Sequence, residues 1–290
     1  MRSVINIAAS IATAVALTVA CGSSTNGTPT LTEKNATHTA GYILVIGESI
    51  SANCNEFRFD SVNGVNSFWD GVISTARDPL PGADCGGGSM WIPLGARLLK
   101  ENVYQTVTFT TIGVAGSRVQ DWADGGVNYS KLLAALSSLR RQQISPSYVL
   151  WLQGSANAGD TRHDYKNQFV KIEAALRDNG IFAPIIVAIH SRCGDMHDET
   201  IAEAQIALGI QTSRKLFRGP NTDDLGSEYR MRDRCHLNRL GQQTMADRWF
   251  DSIKATTEQY NLMRRETLIE LFSQIERTYT VPARLENYSA

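Results

Sequence analysis

Four short apolar runs stand out along the chain: Gly41 to Ile46 (GYILVI), Thr106 to Ile112 (TVTFTTI), Tyr148 to Leu152 (YVLWL) and Pro184 to Ile189 (PIIVAI). Each is rich in β-branched or aromatic residues and lacks the polar alternation of a half-exposed strand, which predicts parallel strands buried on both faces. A weaker fifth strand is expected near Lys215 to Arg218. Helical spacing fills the intervals at Met90 to Lys100, Lys131 to Arg141, Asp164 to Asp178, Glu199 to Ser213 and Gln242 to Ala255. Strands alternating with helices require right-handed crossovers, so the expected fold is α/β: a three-layer, doubly wound sandwich with a mostly parallel five-stranded sheet. Ligands in such folds bind beyond the carboxyl ends of the strands, so chemistry is sought just after each strand. A further amphipathic helix, Asn261 to Arg277, is expected to dock as a C-terminal element before Val281-Pro282, and no internal repeat or second domain is visible.

Composition narrows the class. A chain of 290 residues, 42% hydrophobic and 20% charged, can form one ordinary core. A net charge of -1 without long charge runs offers no footprint for nucleic acid or an anionic membrane. Arg2 followed by an apolar stretch from Val4 to Ala20 reads as an export signal over residues 1–20, a permanent anchor helix being the competing reading. Thr18-Val19-Ala20-Cys21 resembles a bacterial lipobox with Thr18 in place of leucine, which makes Cys21 the lipidation candidate. Residues 21–40, rich in Ser, Thr, Asn and Gly, read as a solvated tether. The folded domain is then 41–256, with a helix and tail at 257–290. Beyond Cys21 there remain Cys54, Cys85, Cys193 and Cys235, and in an exported chain an even number implies two disulfides of open pairing.

Two clusters carry candidate chemistry. The first strand runs into Gly47-Glu48-Ser49-Ile50-Ser51, placing a serine at an exposed strand tip where a nucleophile could sit. A serine there can equally be a cap, and Ser51 in place of glycine disfavours the G-x-S-x-G elbow. Near the other end, Asp233-Arg234-Cys235-His236 lies in a loop entering a helix. Three residues apart, the carboxylate can orient imidazole Nδ1 and leave Nε2 for a nucleophile, although Asp-x-x-His alone is usually surface decoration.

Taken together these residues resemble the SGNH, or GDSL-type, hydrolases over residues 41–255. The blocks are Gly47-Glu48-Ser49, Gly116 within Thr111-Ile112-Gly113-Val114-Ala115-Gly116-Ser117, Asn157 within Gln153-Gly154-Ser155-Ala156-Asn157-Ala158, and Asp233-x-x-His236. The Q-G-x-x-N-A form of the third block, with Asp78-Pro79-Leu80 and Gly88-Ser89-Met90-Trp91, is similar to the sialate O-acetylesterase and carbohydrate-esterase branch. Glu48 departs from the family's usual Asp, and two residues separate Gly154 from Asn157 where one is common.

The resemblance implies a serine esterase that cleaves small acyl esters, above all acetyl, on a carbohydrate, and the leader and Cys21 place it as secreted or lipid-anchored in the periplasm or cell envelope. It implies a Ser49–His236–Asp233 triad, an acyl-enzyme, and an oxyanion hole of the Ser49 and Gly116 amides and the Asn157 side chain, with no cofactor and no metal. The expected fold then separates the cysteine pairings. Cys54 and Cys85 fall in one excursion after the first strand, while Cys193 and Cys235 follow neighbouring strands, so Cys54–Cys85 and Cys193–Cys235 are expected, the second pinning the loop of His236.

Rival readings are a lysophospholipase, thioesterase or aryl-esterase of the same fold, and a non-catalytic polysaccharide-binding protein. His190, Cys193, Asp195 and His197 cluster without the spacing of a zinc site, and His190 reads as a strand-end residue with a satisfied hydrogen bond. Trp91, Trp122 and Trp151 could stack on a sugar, though aromatic residues at strand ends more often belong to the core. Arg118 and Asp121 could contact substrate at the cleft rim.

Overall fold

The computed structural model describes residues 38–279, with side chains from 39 to 275; the leader, Cys21 and residues 22–37 lie outside the described residues, whereas residues 38–40, read as the end of the tether, are strand, because their backbone pairs with residues 104–106. Strands β1 (His38–Gly47), β2 (Val65–Trp69), β3 (Val72–Thr75), β4 (Tyr104–Thr111), β5 (Tyr148–Leu152), β6 (Ile185–Ile189) and β7 (Leu216–Asn221) form one sheet in the order β3-β2-β4-β1-β5-β6-β7. All neighbours are parallel except β2 and β3. The helices are α1 (Trp91–Lys100), α2 (Val119–Trp122), α3 (Tyr129–Arg141), α4 (Arg162–Asp178), α5 (Glu199–Leu208) and α6 (Arg239–Tyr279).

Period-two alternation in β1 sets the layers. Ile43 and Val45 pack in one core with Trp91, Leu94 and Leu98 of α1 and Met245, Trp249 and Ile253 of α6. Leu44 and Ile46 point into a second core with Leu136 of α3, Phe169 and Ile172 of α4 and Ile201 of α5. Both faces of the strand are thus covered by helices, which is why its sequence reads as a continuous apolar run.

The sheet has seven strands rather than the expected five. The added pair, β2 and β3, is a hairpin whose two-residue turn, Asp70-Gly71, has both φ angles positive at 46° and 83°, as a turn matching the twist of the strands requires. β2 joins β4 in parallel and β3 forms an exposed edge. The opposite edge is β7, where Pro220 is tolerated because one side of the strand needs no donor.

Two helix boundaries also differ from expectation. α5 stops at Leu208 because Gly209 caps it, its N–H donating to the Gln205 carbonyl. The two expected C-terminal helices are one continuous helix of 41 residues, since neither glycine nor proline interrupts residues 242–279. Its first half is buried against the sheet through Trp249, Ile253 and Thr256, and Tyr260 meets Phe217 edge-on. Farther along, Leu262, Leu268, Ile269, Leu271, Phe272 and Ile275 are exposed, so this part is not the docked element the pattern suggested. The described residues fall within one compact unit, and none of their helices is long and apolar enough to cross a membrane.

Because the distal part of α6 leaves these side chains in solvent, ending the chain at Asn261 is expected to lower the melting temperature by no more than about 2 °C, the scale of a surface change. Thermal unfolding of the shortened protein checks this, and a loss of about 10 °C would mean the distal helix is a structural element.

Candidate active site

β1 is central, flanked by β4 and β5, so three successive loops meet at one end of the sheet. Gly47 ends β1 against its neighbours: a Cβ there would lie 2.0 Å from the Leu152 carbonyl oxygen. Its carbonyl accepts the Val114 N–H at 3.0 Å, and the Glu48 N–H donates to the Leu152 carbonyl at 3.0 Å, tying the three strand ends together. The chain then turns into a 3-10 segment, Ser49–Ser51, with Ser49 8% exposed. Trp91 Nε1 donates to the Ser51 carbonyl at 3.0 Å and holds this turn onto α1.

On the β4 side, Gly116 has φ +66° and open space where a Cβ would project, so glycine answers there to backbone conformation and leaves its amide uncovered. On the β5 side, Asn157 is fully buried at the end of the turn Ser155–Asn157. Its Oδ1 accepts from Val119 N–H at 2.8 Å and Gln153 Nε2 at 2.7 Å, while its Nδ2 donates to Gln120 Oε1 at 2.9 Å and Asp160 Oδ2 at 2.7 Å. Asp160 also pairs with Arg118, and Asp121 accepts the Arg118 N–H to start α2, so neither rim candidate is a free group. An open polar recess of about 260 Å³, lined by Gln120, Asp160, Asp164 and Gln168, adjoins these partners.

Asp233 and His236 meet after β7. Asp233 Oδ2 is 2.7 Å from His236 Nδ1, and its Oδ1 accepts the N–H groups of Cys235 at 2.9 Å and His236 at 3.0 Å. Partial burial acts to raise the Asp233 pKa, but these three donors and the His236 charge outweigh it and hold the carboxyl below its ordinary value. His236 Nε2 is buried and has no hydrogen-bond partner, so no such bond joins it to Ser49. Asn55 connects the two loops: its Nδ2 donates to the Ile50 carbonyl at 2.8 Å and its Oδ1 accepts the Leu237 N–H at 3.1 Å. The cysteines pair as expected, Cys54 with Cys85 and Cys193 with Cys235.

The cluster after β6 disperses to different partners. Cys193 is in a disulfide, Asp195 pairs with Arg234, and His197 lies 3.6 Å from Asp223. His190 is fully buried, with Nδ1 at 2.8 Å from Thr222 Oγ1 and Nε2 at 3.5 Å from Glu48 Oε1. Trp91, Trp122 and Trp151 are all core residues, offering no face to a sugar. Sequence reasoning missed Asn55, Gln120, Gln153 and Asp160; only Gln153, inside the quoted Q-G-x-x-N-A stretch, stood within a recognisable motif.

A family model described as carbohydrate esterase, sialic acid-specific acetylesterase, matches residues 73–255. The chain belongs to this family. The matched span includes Gly116, Asn157, Asp233 and His236, while Ser49 lies ahead of it. Among solved structures, a protein from Arabidopsis thaliana superposes with a TM-score of 0.59 at 18% identity, covering 74% of this chain and 98% of that one. A GDSL-like protein from Parabacteroides merdae gives 0.51 at 12% identity, covering 75% and 97%. No curated protein matches the sequence. The fold is that of the SGNH hydrolases, and the chain is an ester hydrolase of the carbohydrate-esterase class.

Burial keeps the His190 pKa below its ordinary value, overcoming the opposing pull of the Glu48 and Asp223 carboxylates; Arg230 and His236 act in the same direction as burial. The native imidazole therefore stays neutral while the unfolded chain gains a proton as pH falls below about 6.5. The unfolded state then binds more protons, so folding stability declines on acidification through that window. Urea midpoints at about pH 7.5 and about pH 5.5 are expected to differ more for the parent than for His190→Gln; an equal difference would contradict the neutral buried imidazole.

Proposed function

We propose that the protein is an exported esterase that removes acetyl groups from a carbohydrate, with Ser49 as nucleophile, His236 as general base and Asp233 orienting the imidazole. The observation that carries this reading is the Asp233–His236 contact at 2.7 Å combined with a buried Nε2 that has no other partner. An imidazole held at Nδ1 by a carboxylate keeps Nε2 as the acceptor that a serine proton needs.

In the proposed cycle, Ser49 Oγ gives its proton to His236 Nε2 and bonds to the acetyl carbonyl carbon. The tetrahedral intermediate collapses as the carbon–oxygen bond to the sugar breaks, and His236 returns the proton to the departing sugar oxygen. Water then gives a proton to His236 and bonds to the acetyl carbon, and as the bond from that carbon to Ser49 Oγ breaks, His236 returns the proton to Oγ and acetate leaves. Developing negative charge on the carbonyl oxygen falls to the Ser49 and Gly116 N–H groups, neither of which donates to another backbone group. Asn157 Nδ2 supplies a third donor by exchanging its bond to the neutral Gln120 oxygen for the oxyanion, the bond to the Asp160 carboxylate being the stronger to keep.

Support for a sugar comes from the recess beside Asn157, whose Gln120, Asp160, Asp164 and Gln168 lining offers hydrogen bonds to hydroxyl groups. The two disulfides support export, and lipidation at Cys21 would hold the protein at the cell envelope through the residues that precede β1.

Ser49→Ala and His236→Ala are each expected to lower turnover at least about 10³-fold with an unchanged far-ultraviolet spectrum, measured as acetate released from acetylated sugars. A folded, fully active Ser49→Ala protein would remove the assignment. Asn157→Ala is expected to reduce kcat by about 10²-fold while KM moves little, since the donor acts chiefly in the transition state. An unchanged kcat would take Asn157 out of the oxyanion site.

A further inference from the structure

The Glu48 side chain is 2% exposed, immediately before Ser49, where the wider family usually carries aspartate. A buried carboxylate is costly unless donors converge on it. Here they come from one loop. Oε1 accepts the Gly154 N–H at 2.7 Å and the Ala156 N–H at 3.4 Å, and Oε2 accepts the Ser155 hydroxyl at 3.0 Å. The Gly154 carbonyl in turn accepts the Asn157 N–H at 2.9 Å, closing the 3-10 turn that presents the Asn157 side chain. Gly154 is required at the crossing point, because a Cβ there would come within 2.1 Å of both the His190 carbonyl and Gln205 Nε2.

We propose that Glu48 is a positioning residue whose carboxylate clamps residues 154–156 and thereby fixes the Asn157 amide relative to the turn that carries Ser49. The proposal rests on the esterase reading of Ser49 and Asn157 given above. An aspartate at position 48 is one methylene shorter and would not span to the Gly154 N–H and the Ser155 hydroxyl from the same backbone, so the longer side chain is matched to this loop. The histidine loop has its own chain of supports beside the clamp, with no hydrogen bond between Glu48 and His190 Nε2. His190 Nε2 lies 3.5 Å from Glu48 Oε1, His190 Nδ1 is 2.8 Å from Thr222 Oγ1, and the Thr222 carbonyl accepts from Arg230 Nη2 at 2.6 Å. Arg230 Nη1 then donates at 2.6 Å to the carbonyl of Cys235, the residue before His236. Glu48 thus ties the turn of Ser49 to the loop of Asn157 and touches no reacting atom itself.

Three variants read this directly. Glu48→Ala removes every acceptor and is expected to reduce kcat about 10²-fold, the size of the loss expected for Asn157→Ala, with KM changed less than about threefold. Glu48→Gln keeps the shape, its oxygen facing Gly154 and its amide donating to the Ser155 oxygen, and is expected to restore kcat to within about fivefold of the parent. Because Glu48 acts through Asn157, the Glu48→Ala/Asn157→Ala double variant is expected to be no slower than Asn157→Ala alone. A folded Glu48→Ala protein with parental kcat, or a double variant in which the two losses multiply, would overturn the proposal. If Glu48→Ala does not fold, Ser155→Ala decides: removing one donor is expected to lower kcat about fivefold at constant KM, and an unchanged kcat overturns the clamp. Ser49→Ala separates the two levels, since its full activity would remove the esterase reading itself, whereas an inactive Ser49→Ala beside a fully active Glu48→Ala would remove only the role of Glu48.

Discussion

The site depends on how closely three strand ends approach one another at Gly47. With no side chain at that position, β1 can lie against the Leu152 carbonyl, and the backbone bonds from Val114 and Glu48 bring the β4 and β5 loops onto the same edge. Any Cβ there would force β1 and β5 apart, because the obstacle is backbone and cannot rotate away. Ser49, Gly116 and Asn157 belong to loops separated by long stretches of sequence, and this contact makes them neighbours. The doubly wound topology supplies the remainder of the geometry: β1 lies between the strands that precede and follow its crossover, where such sheets leave a crevice beyond their carboxyl ends.

Around that edge several buried polar side chains gather many partners at once. Asn157 uses both lone-pair directions of its oxygen and both hydrogens of its nitrogen, Asp223 collects the Ser191 and Arg192 N–H groups and the Ser191 hydroxyl, and Arg230 spends its guanidinium on three carbonyls. Such networks fix loops more firmly than apolar packing, since a small displacement leaves a buried donor without its acceptor. His236 Nε2, like Gln153 Oε1 and His190 Nε2 nearby, is buried without a hydrogen bond, and it lies on a ring held by a carboxylate.

The histidine loop is held from several directions. The Cys193–Cys235 disulfide ties it to the loop after β6, Asn55 ties Leu237 to the turn of Ser49, and Arg230 grips the Cys235 carbonyl. In the chain-entropy picture a bridge closing a separation of 42 residues stabilises the fold by about 3–4 kcal/mol. Its position next to His236 directs that restraint to a single imidazole. Disulfides of this kind persist in oxidising compartments.

Much of this was legible in the linear sequence. Apolar runs buried on both faces announced the parallel strands, strand-end glycine, serine and asparagine marked the loops, and the expected order of the strands separated the cysteine pairings. The Asp70-Gly71 turn was also written in the chain, but its flanking strands are short and β3 is exposed, so no apolar run drew attention to them. The continuity of α6 was obscured because its first half is amphipathic against the sheet and its second half is not packed, leaving no single period across the whole helix. What only the tertiary structure decided is the set of polar partners: Glu48 with residues 154–156, Asn157 with Gln120 and Asp160, and Asn55 with Ile50 and Leu237. Hydrophobic burial follows periodicity and leaves its trace in neighbouring residues, whereas a hydrogen bond between residues 48 and 154 depends on distance and angle after the strands have packed, and one sequence carries no local sign of it.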